Sequence, residues 1–227
     1  MNFATWEPVY ETILDDFGFD RSADQRARDA LGDMLRDHST CGLSALDVRG
    51  ASVAIAGAGD NLESEADVAA AADSVFAAST AADRLRDVGV TVDCMVTDLD
   101  KNPDSVRTLT AGGVPVAVHA HGDNIPAIRE YVPTFTPEWV LPTTQARPVD
   151  PVENTGGFTD GDRGAFLADH LGASRLVFPG WDFDDDSVTQ LKRQKLAWAK
   201  RLLAWLEQRR DERFAILDGQ RGEISLP

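Results

Sequence analysis

The sequence predicts an α/β fold: a mostly parallel, open β-sheet with helices on both faces, preceded by a helical extension. Three observations predict it. From Ala51 onward, short runs rich in Val, Ile and Ala alternate with segments of helical periodicity, as strands and helices do when crossovers join parallel strands. The length of 227 residues suffices for one sizeable core and suits a single α/β domain. No repeat, low-complexity tract or long linker demands a second domain. The chain therefore divides into an N-terminal helical extension over 1–50 and an α/β domain over 51–227.

In the first fifty residues, Trp6, Val9, Tyr10, Ile13, Leu14 and Phe17 recur at intervals of three and four, as do Ala27, Leu31, Met34 and Leu35. Gly18 and Gly42 punctuate these segments, whose apolar faces are expected to pack on the main core. The predicted strands are Ser52–Ala56, Ser74–Ala78, Asp93–Val96, Val114–Val118, Glu138–Leu141, Arg175–Phe178 and Phe214–Leu217. The predicted helices between and after them are Leu62–Ala72, Ala81–Asp87, Ser105–Thr110, Ile125–Tyr131, Asp160–Leu171 and Val188–Arg210.

Ligands of open α/β sheets bind outside the carboxyl ends of the strands. In this chain those ends carry small or polar residues: Gly57 to Asn61, Ser79-Thr80, Thr97 to Asp100, His119 to Asn124, Thr143 to Gln145, and Pro179 to Phe183. Six such ends are expected to converge on one crevice.

The formal net charge is -16 and the pI about 4.5. A surface of this kind repels phosphate backbones and anionic lipids, which argues against nucleic acid and membrane partners. The composition is acidic and lysine-poor, as a high-salt cytosol selects, so a halophilic source and stability that rises with salt are expected. The cysteines, Cys41 and Cys94, imply no disulfide framework. Acids stand at the N-terminus where a signal peptide has bases, and no apolar run approaches the ~20 residues of a membrane span. A cytoplasmic protein is expected; self-association into a homo-oligomer stays open.

Five constellations carry candidate chemistry. In GAGDN, backbone N–H groups around Gly57, Gly59 and Asn61 are candidates to bind the phosphates of a nucleotide, although the spacing is not that of a dinucleotide fingerprint. Alternatively, the glycines permit a tight turn and Asp60 or Asn61 caps a helix. In VTDLDK, Asp98 and Asp100 follow a strand and suit Mg²⁺, which takes one or two carboxylates together with phosphate and water. The same acids would also suit a turn. In HAHGDN, His119 and His121 share a face of an extended segment, with Asp123 and Asn124 following. The motif is like that of a zinc hydrolase, but Asn124 stands where another histidine belongs, so hydrogen bonding to substrate or phosphate fits better. In NTGGFTDGDRG, either the glycines form a loop and Thr159 or Asp160 caps the helix that follows, or, as the length of the irregular segment favours, a mobile loop presents Arg163 or backbone N–H groups to phosphate. Finally, every lysine except Lys101 lies between Lys192 and Lys200 in the last long helix, where Lys192 and Lys195 are candidates to neutralise a polyphosphate.

In the order VTDLD, HAHGDN, NTGGFTDGDRGA, FPGWDF and the Lys192–Leu203 helix, these motifs resemble the archaeal 6-hydroxymethyl-7,8-dihydropterin pyrophosphokinases, relatives of thiamin pyrophosphokinase. The resemblance runs from Ala51 to the C-terminus. It implies a Rossmann-like, thiamin-pyrophosphokinase-like catalytic domain that moves diphosphate from ATP to the pterin hydroxymethyl group, releasing AMP, with Mg²⁺ as cofactor and ATP and a reduced pterin as partners. It departs at the first turn, where the family tends to carry Gly-x-Gly-Pro-Ser and this chain has Gly57 to Asn61. On this reading Asp98, Asp100, His119 and His121 are catalytic. Asp98, Asp100 and Asp123 hold the metal, and Asn124 orients substrate. Trp181, Asp182 and Phe183 offer the pterin an aromatic platform and a carboxylate. A D-x-D glycosyltransferase acting on a nucleotide sugar and a non-catalytic nucleotide-binding protein are the alternatives.

Overall fold

Strands β1 (Ser52–Ala56), β2 (Ser74–Ala78), β3 (Cys94–Thr97), β4 (Val116–Ala120), β5 (Val140–Thr144) and β6 (Arg175–Val177) form one sheet in a computed structural model that describes residues 1–227. The strand order is β5-β4-β3-β2-β1-β6, and every neighbouring pair is parallel. The predicted α/β architecture is therefore the observed one. From β1 to β5 the chain steps in one direction, through crossovers containing α3 (Ala66–Ala70), α4 (Ala81–Asp87), α5 (Pro103–Ala111) and α6 (Ile125–Tyr131). Helix α7 (Asp160–His170) then carries it back across the sheet to place β6 beside β1. Because such crossovers are right-handed, reversing direction moves the connecting helix to the opposite face.

The core divides accordingly. Val53, Ile55, Phe76, Cys94, Val96, Ala117 and Leu141 point to the face covered by α1 (Phe3–Phe17), α7 and α8 (Gln190–Arg210). Their neighbours in sequence, among them Ala54, Val75, Met95, Val116 and Val118, point to the face covered by α2 (Arg21–Leu35) and α3 to α6. This period-two alternation makes both faces apolar and explains why the strands read as unbroken hydrophobic runs. The two N-terminal helices thus lie on opposite faces. Gly18, left-handed at φ 66°, ends α1, and the Asp20 side chain caps α2 by accepting from Ser22 N at 2.9 Å. No helix is long and apolar enough to cross a membrane.

Three predicted elements differ: the strand expected at Glu138–Leu141 runs over Val140–Thr144, because Glu138 and Trp139 belong to a 3-10 turn over Pro137–Trp139. Phe214–Leu217 is not a seventh strand: a 3-10 turn spans Ala215–Leu217. Phe214 and Leu217 are buried while Ala215 between them is exposed, a spacing of three that a strand cannot bury on one face. The predicted helix Leu62–Ala72 is a 3-10 turn over Glu63–Glu65 followed by the short α3.

Candidate active site

At the carboxyl edge of the sheet lies a cavity of about 580 Å³. All six strand-end loops reach it, through Gly57 and Gly59 (after β1), Ser79 and Thr80 (β2), Asp98 and Asp100 (β3), His121 and Asp123 (β4), Gln145 (β5), and Trp181 and Asp182 (β6). Arg163 of α7, Lys192 and Lys195 of α8, and the turn between α1 and α2 complete the wall.

The β3 loop carries its acids on a strained backbone. Leu99 (φ 67°) and Asn102 (φ 40°) are both left-handed, a conformation that costs non-glycine residues energy and recurs at functional sites. Leu99 is buried and its N–H donates to Thr97 Oγ1 at 3.1 Å. That anchor leaves Asp98 and Asp100, on either side of it, at the cavity. Asp98 Oδ2 is 3.3 Å from His121 Nε2, and Asp98 Oδ1 accepts from Asp100 N at 3.2 Å. Burial works against its charge, but the His121 hydrogen bond and the Arg163 charge outweigh it and hold Asp98 well below the usual carboxylate range. Asp100 is raised by burial and then by the neighbouring Asp98 charge. Asp160, in the first turn of α7, is pushed up to about 7 by burial and the Asp98 charge, against the pull of Arg163.

The two histidines separate. His121 faces the cavity, whereas His119 is 2 % exposed within β4. His119 Nδ1 is 3.1 Å from Thr143 Oγ1, whose hydroxyl also lies 3.2 Å from Val118 O. Burial, then Arg163 and His121, hold His119 well below its ordinary pKa, against the Asp98 charge and a hydrogen bond to Gln145, so the ring is neutral. Asn124 also lies behind the wall. It donates from Nδ2 to Asp98 O at 2.8 Å and to His119 O at 2.6 Å and accepts from His121 N at 3.0 Å, so its side chain joins the β3 and β4 ends. Asp123 stands exposed at the rim.

NTGGFTDGDRG is packed rather than mobile: Asn154 to Phe158 are all buried. Gly157, at φ 94°, lies so close to Arg163 that a Cβ there would be 2.5 Å from Arg163 Cα. The Asp162 carboxylate accepts from Thr159 N at 3.0 Å and Thr159 Oγ1 at 2.6 Å, fixing the entry to α7. Arg163 therefore projects from a rigid base. Its Nη1 pairs with Asp160 Oδ1 at 3.0 Å and its Nη2 donates to Gln145 Oε1 at 3.2 Å, while Nε has no partner. Of the five N–H donors of a guanidinium, two are engaged.

The glycine turn after β1 is stapled shut. Gly57 N donates to Pro179 O at 2.9 Å and Gly59 N to Gly180 O at 2.8 Å, so neither N–H is free for a phosphate. Arg84 takes the carbonyls of Ala58 and Gly59 at 2.9 and 3.1 Å. Asn61 leans on the same loop, donating to Trp181 O at 3.4 Å, and does not line the cavity. Trp181 donates from its indole to Ile55 O at 2.8 Å and rests on Gly161, where a Cβ would come within 2.5 Å of Cζ2. Asp182 is exposed at the rim, and Phe183 sits outside the cavity against Trp181, ring centroids 5.5 Å apart. Sequence reasoning placed Gln145 among the strand ends but gave it no role, and it missed Asp24, Phe19 and the ionisable role of Asp160, all on the wall. No motif marks Asp24, an acid among the charged residues of a helix.

No group of three or more His, Cys, Asp or Glu side chains is arranged to hold a metal by itself. What the β3 loop offers is two hard carboxylates, which suits a cation that keeps water and takes substrate phosphates but not a closed protein cage.

A family model described as 6-hydroxymethylpterin diphosphokinase MptE-like matches residues 27–187. The chain belongs to this MptE-like family. Its match contains the whole sheet, Asp98, His121, Arg163 and Trp181, whereas α1 and the lysines of α8 lie outside it. Relatives match a larger share of the chain. A 6-hydroxymethyl-7,8-dihydropterin pyrophosphokinase of Methanothermobacter thermautotrophicus is 39 % identical, over 94 % of this chain and 99 % of its own. Proteins of the same name from Pyrococcus furiosus (35 %, over 91 % and 95 %) and Methanocaldococcus jannaschii (29 %, over 94 % and 99 %) are also similar. Membership in the MptE-like family agrees with the resemblance carried by the sequence motifs.

Proposed function

We propose that this protein transfers diphosphate from ATP to 6-hydroxymethyl-7,8-dihydropterin, forming the diphosphate ester and AMP with Mg²⁺ as cofactor. The observation that carries the reading is the pairing across one cavity of the Asp98–Asp100 carboxylates with Arg163, Lys192 and Lys195, in a chain of the MptE-like family. The substrate hydroxyl attacks the β-phosphorus in line as the bond to the α-phosphate oxygen breaks, so catalysis rests on positioning and on neutralising charge. Asp98, whose carboxylate stays charged, and Asp100 would hold Mg²⁺, which supplies positive charge to the phosphate oxygens. The open donors of Arg163 and the Lys192 and Lys195 ammonium groups bind the remaining oxygens. His121, hydrogen-bonded to Asp98 and facing the cavity, takes the hydroxyl proton; His119 supports the wall behind it. Trp181 and Asp182 contact the pterin, with Phe183 bracing Trp181. The β1 glycines shape the nucleotide end without donating N–H groups.

The test is product analysis. AMP should form from ATP only when Mg²⁺ and the reduced pterin are both supplied. Release of UDP from a sugar nucleotide, or ATP binding without turnover, would overturn the assignment.

A further inference from the structure

Asp24 is a buried carboxylate outside the 27–187 family match, on a helix that sequence reasoning assigned to packing. It is 4 % exposed and accepts three hydrogen bonds: Gly122 N to Oδ1 at 2.8 Å, and Tyr10 Oη and Gln145 Nε2 to Oδ2 at 2.7 and 2.8 Å. Each partner comes from a different part of the fold: α1, the β4 loop between His121 and Asp123, and the β5 loop. The approach is close, since a Cβ on Gly122 would lie 2.7 Å from Ala23 Cβ. Gln145 continues the chain, its Oε1 accepting from Arg163 Nη2 at 3.2 Å. An amide is symmetric in shape but not in chemistry, and the Asp24 acceptor on one side and the Arg163 donor on the other agree in turning the Gln145 oxygen towards Arg163.

We propose that Asp24 is a positioning residue: by fixing the orientation of the Gln145 amide, it sets the Arg163 guanidinium for the phosphate. This rests on the role given to Arg163 in the diphosphate transfer proposed above. The geometry dictates what Asp24→Asn does. The Gly122 N–H belongs to the backbone and cannot reverse, so the new carbonyl must face it and the new NH₂ must face Gln145. Gln145 is then faced by a donor on both sides: held as it is, its NH₂ meets the new NH₂, and flipped, its NH₂ meets Arg163, so the relay to Arg163 is broken in either orientation. Adding Gln145→Glu restores the pattern, because one glutamate oxygen accepts from the substituted amide at position 24 and the other from Arg163, with the net charge of the pair conserved.

The experiment measures AMP formation by the full chain carrying Y10F, D24N, or D24N with Q145E, alongside thermal melts. D24N should lower kcat roughly 10–100-fold, as expected when a charged group is misplaced by about an ångström, and the double variant should regain most of that loss. Y10F removes a partner of Asp24 but leaves Gln145 oriented, so it should cost stability and keep kcat. A D24N enzyme with unchanged kcat, or a loss that follows melting temperature and is not rescued by Q145E, would overturn the proposal. The Arg163 Nε–H resonance, assigned with Arg163→Lys, reports the coupling whatever the reaction. It should shift in D24N and return in the double variant, and an unmoved resonance also overturns the proposal. A wild-type protein that makes no AMP would sink the diphosphate transfer but not this coupling.

Discussion

Where the β1 and β6 loops meet, backbone bonds to backbone; where the β3 and β4 loops meet, side chains make the join. At the first junction Gly57 and Gly59 donate to Pro179 and Gly180 carbonyls, and Trp181 closes over glycines that leave no room for a side chain. At the second, Asn124, His121 and Asp98 hold one another, and two left-handed non-glycine residues flank Asp100. The difference separates two tasks. Close backbone contact builds a rigid wall, so damage there should appear as lost shape and stability. Charge on a strained loop builds reactivity, so damage there should appear as lost turnover in a protein that still folds.

The sharpest test removes one charge from the second junction. Asp98→Asn preserves size and keeps an oxygen for the Asp100 N–H, yet it takes away the carboxylate that the surroundings hold in its charged form. Turnover should fall by roughly 10³-fold or more, with a melting temperature close to that of the wild type. Near-normal AMP release from this variant would sink the metal assignment and, with it, the division of labour.

The matching test adds one carbon to the first junction. A Cβ on Gly57 would lie 2.5 Å from Gly180 O and 3.0 Å from Trp181 Cδ1, neither of which yields without parting the two loops. Gly57→Ala should destabilise by about 1–3 kcal/mol, lowering the melting temperature by about 2–4 °C per kcal/mol. It should raise the KM for ATP while leaving kcat near its normal value. Gly222→Ala, with nothing within 4 Å, is the control and should change neither. If Gly57→Ala instead loses kcat as Asp98→Asn does, the two junctions are not functionally distinct.

These junctions were unequally legible in the sequence. The strands could be read because a sheet covered on both faces makes every strand position apolar, and the polar residues that follow mark its carboxyl edge. Asp98, His121, Arg163, Lys192 and Lys195 could be picked out because charge is conspicuous at strand ends or in a lysine-poor chain. Asp24 could not, since its partner Gln145 is 121 residues away and the pair has no local pattern. Nor could the closing of the glycine turn, which depends on the β6 backbone arriving alongside. His119 and His121 looked equivalent because a spacing of two gives one face; the end of β4 between them divides buried from half-buried. Phe214–Leu217 misled because a short apolar run satisfies a strand and a 3-10 turn alike.

Titration provides the subtlest comparison, because it should be felt only at the charged junction. The Asp160 carboxyl is raised from 3.8 to about 7, so folding favours its protonated form. The resulting stability is complete below about pH 3.8 and is lost as pH rises through about 7. Asp98 acts in the opposite sense and elsewhere: its folded pKa is depressed, so its contribution is present above 3.8 and disappears in acid below that. Asp100 and Asp162, both raised, act in the same sense as Asp160, and His119, lowered, opposes them as pH falls through 6.5. The informative quantity is therefore the stability of the wild type relative to Asp160→Asn, measured by denaturant unfolding without metal. It should fall by about 2 kcal/mol between roughly pH 5 and pH 8. In an Asp98→Asn background the fall should shrink, because the Asp98 charge is the second cause of the Asp160 shift, after burial. Gly57→Ala should leave the fall intact, since it changes no charge. An equal fall in the Asp98→Asn background would mean that the Asp98 charge does not reach Asp160, and that these two acids do not act as one electrostatic unit.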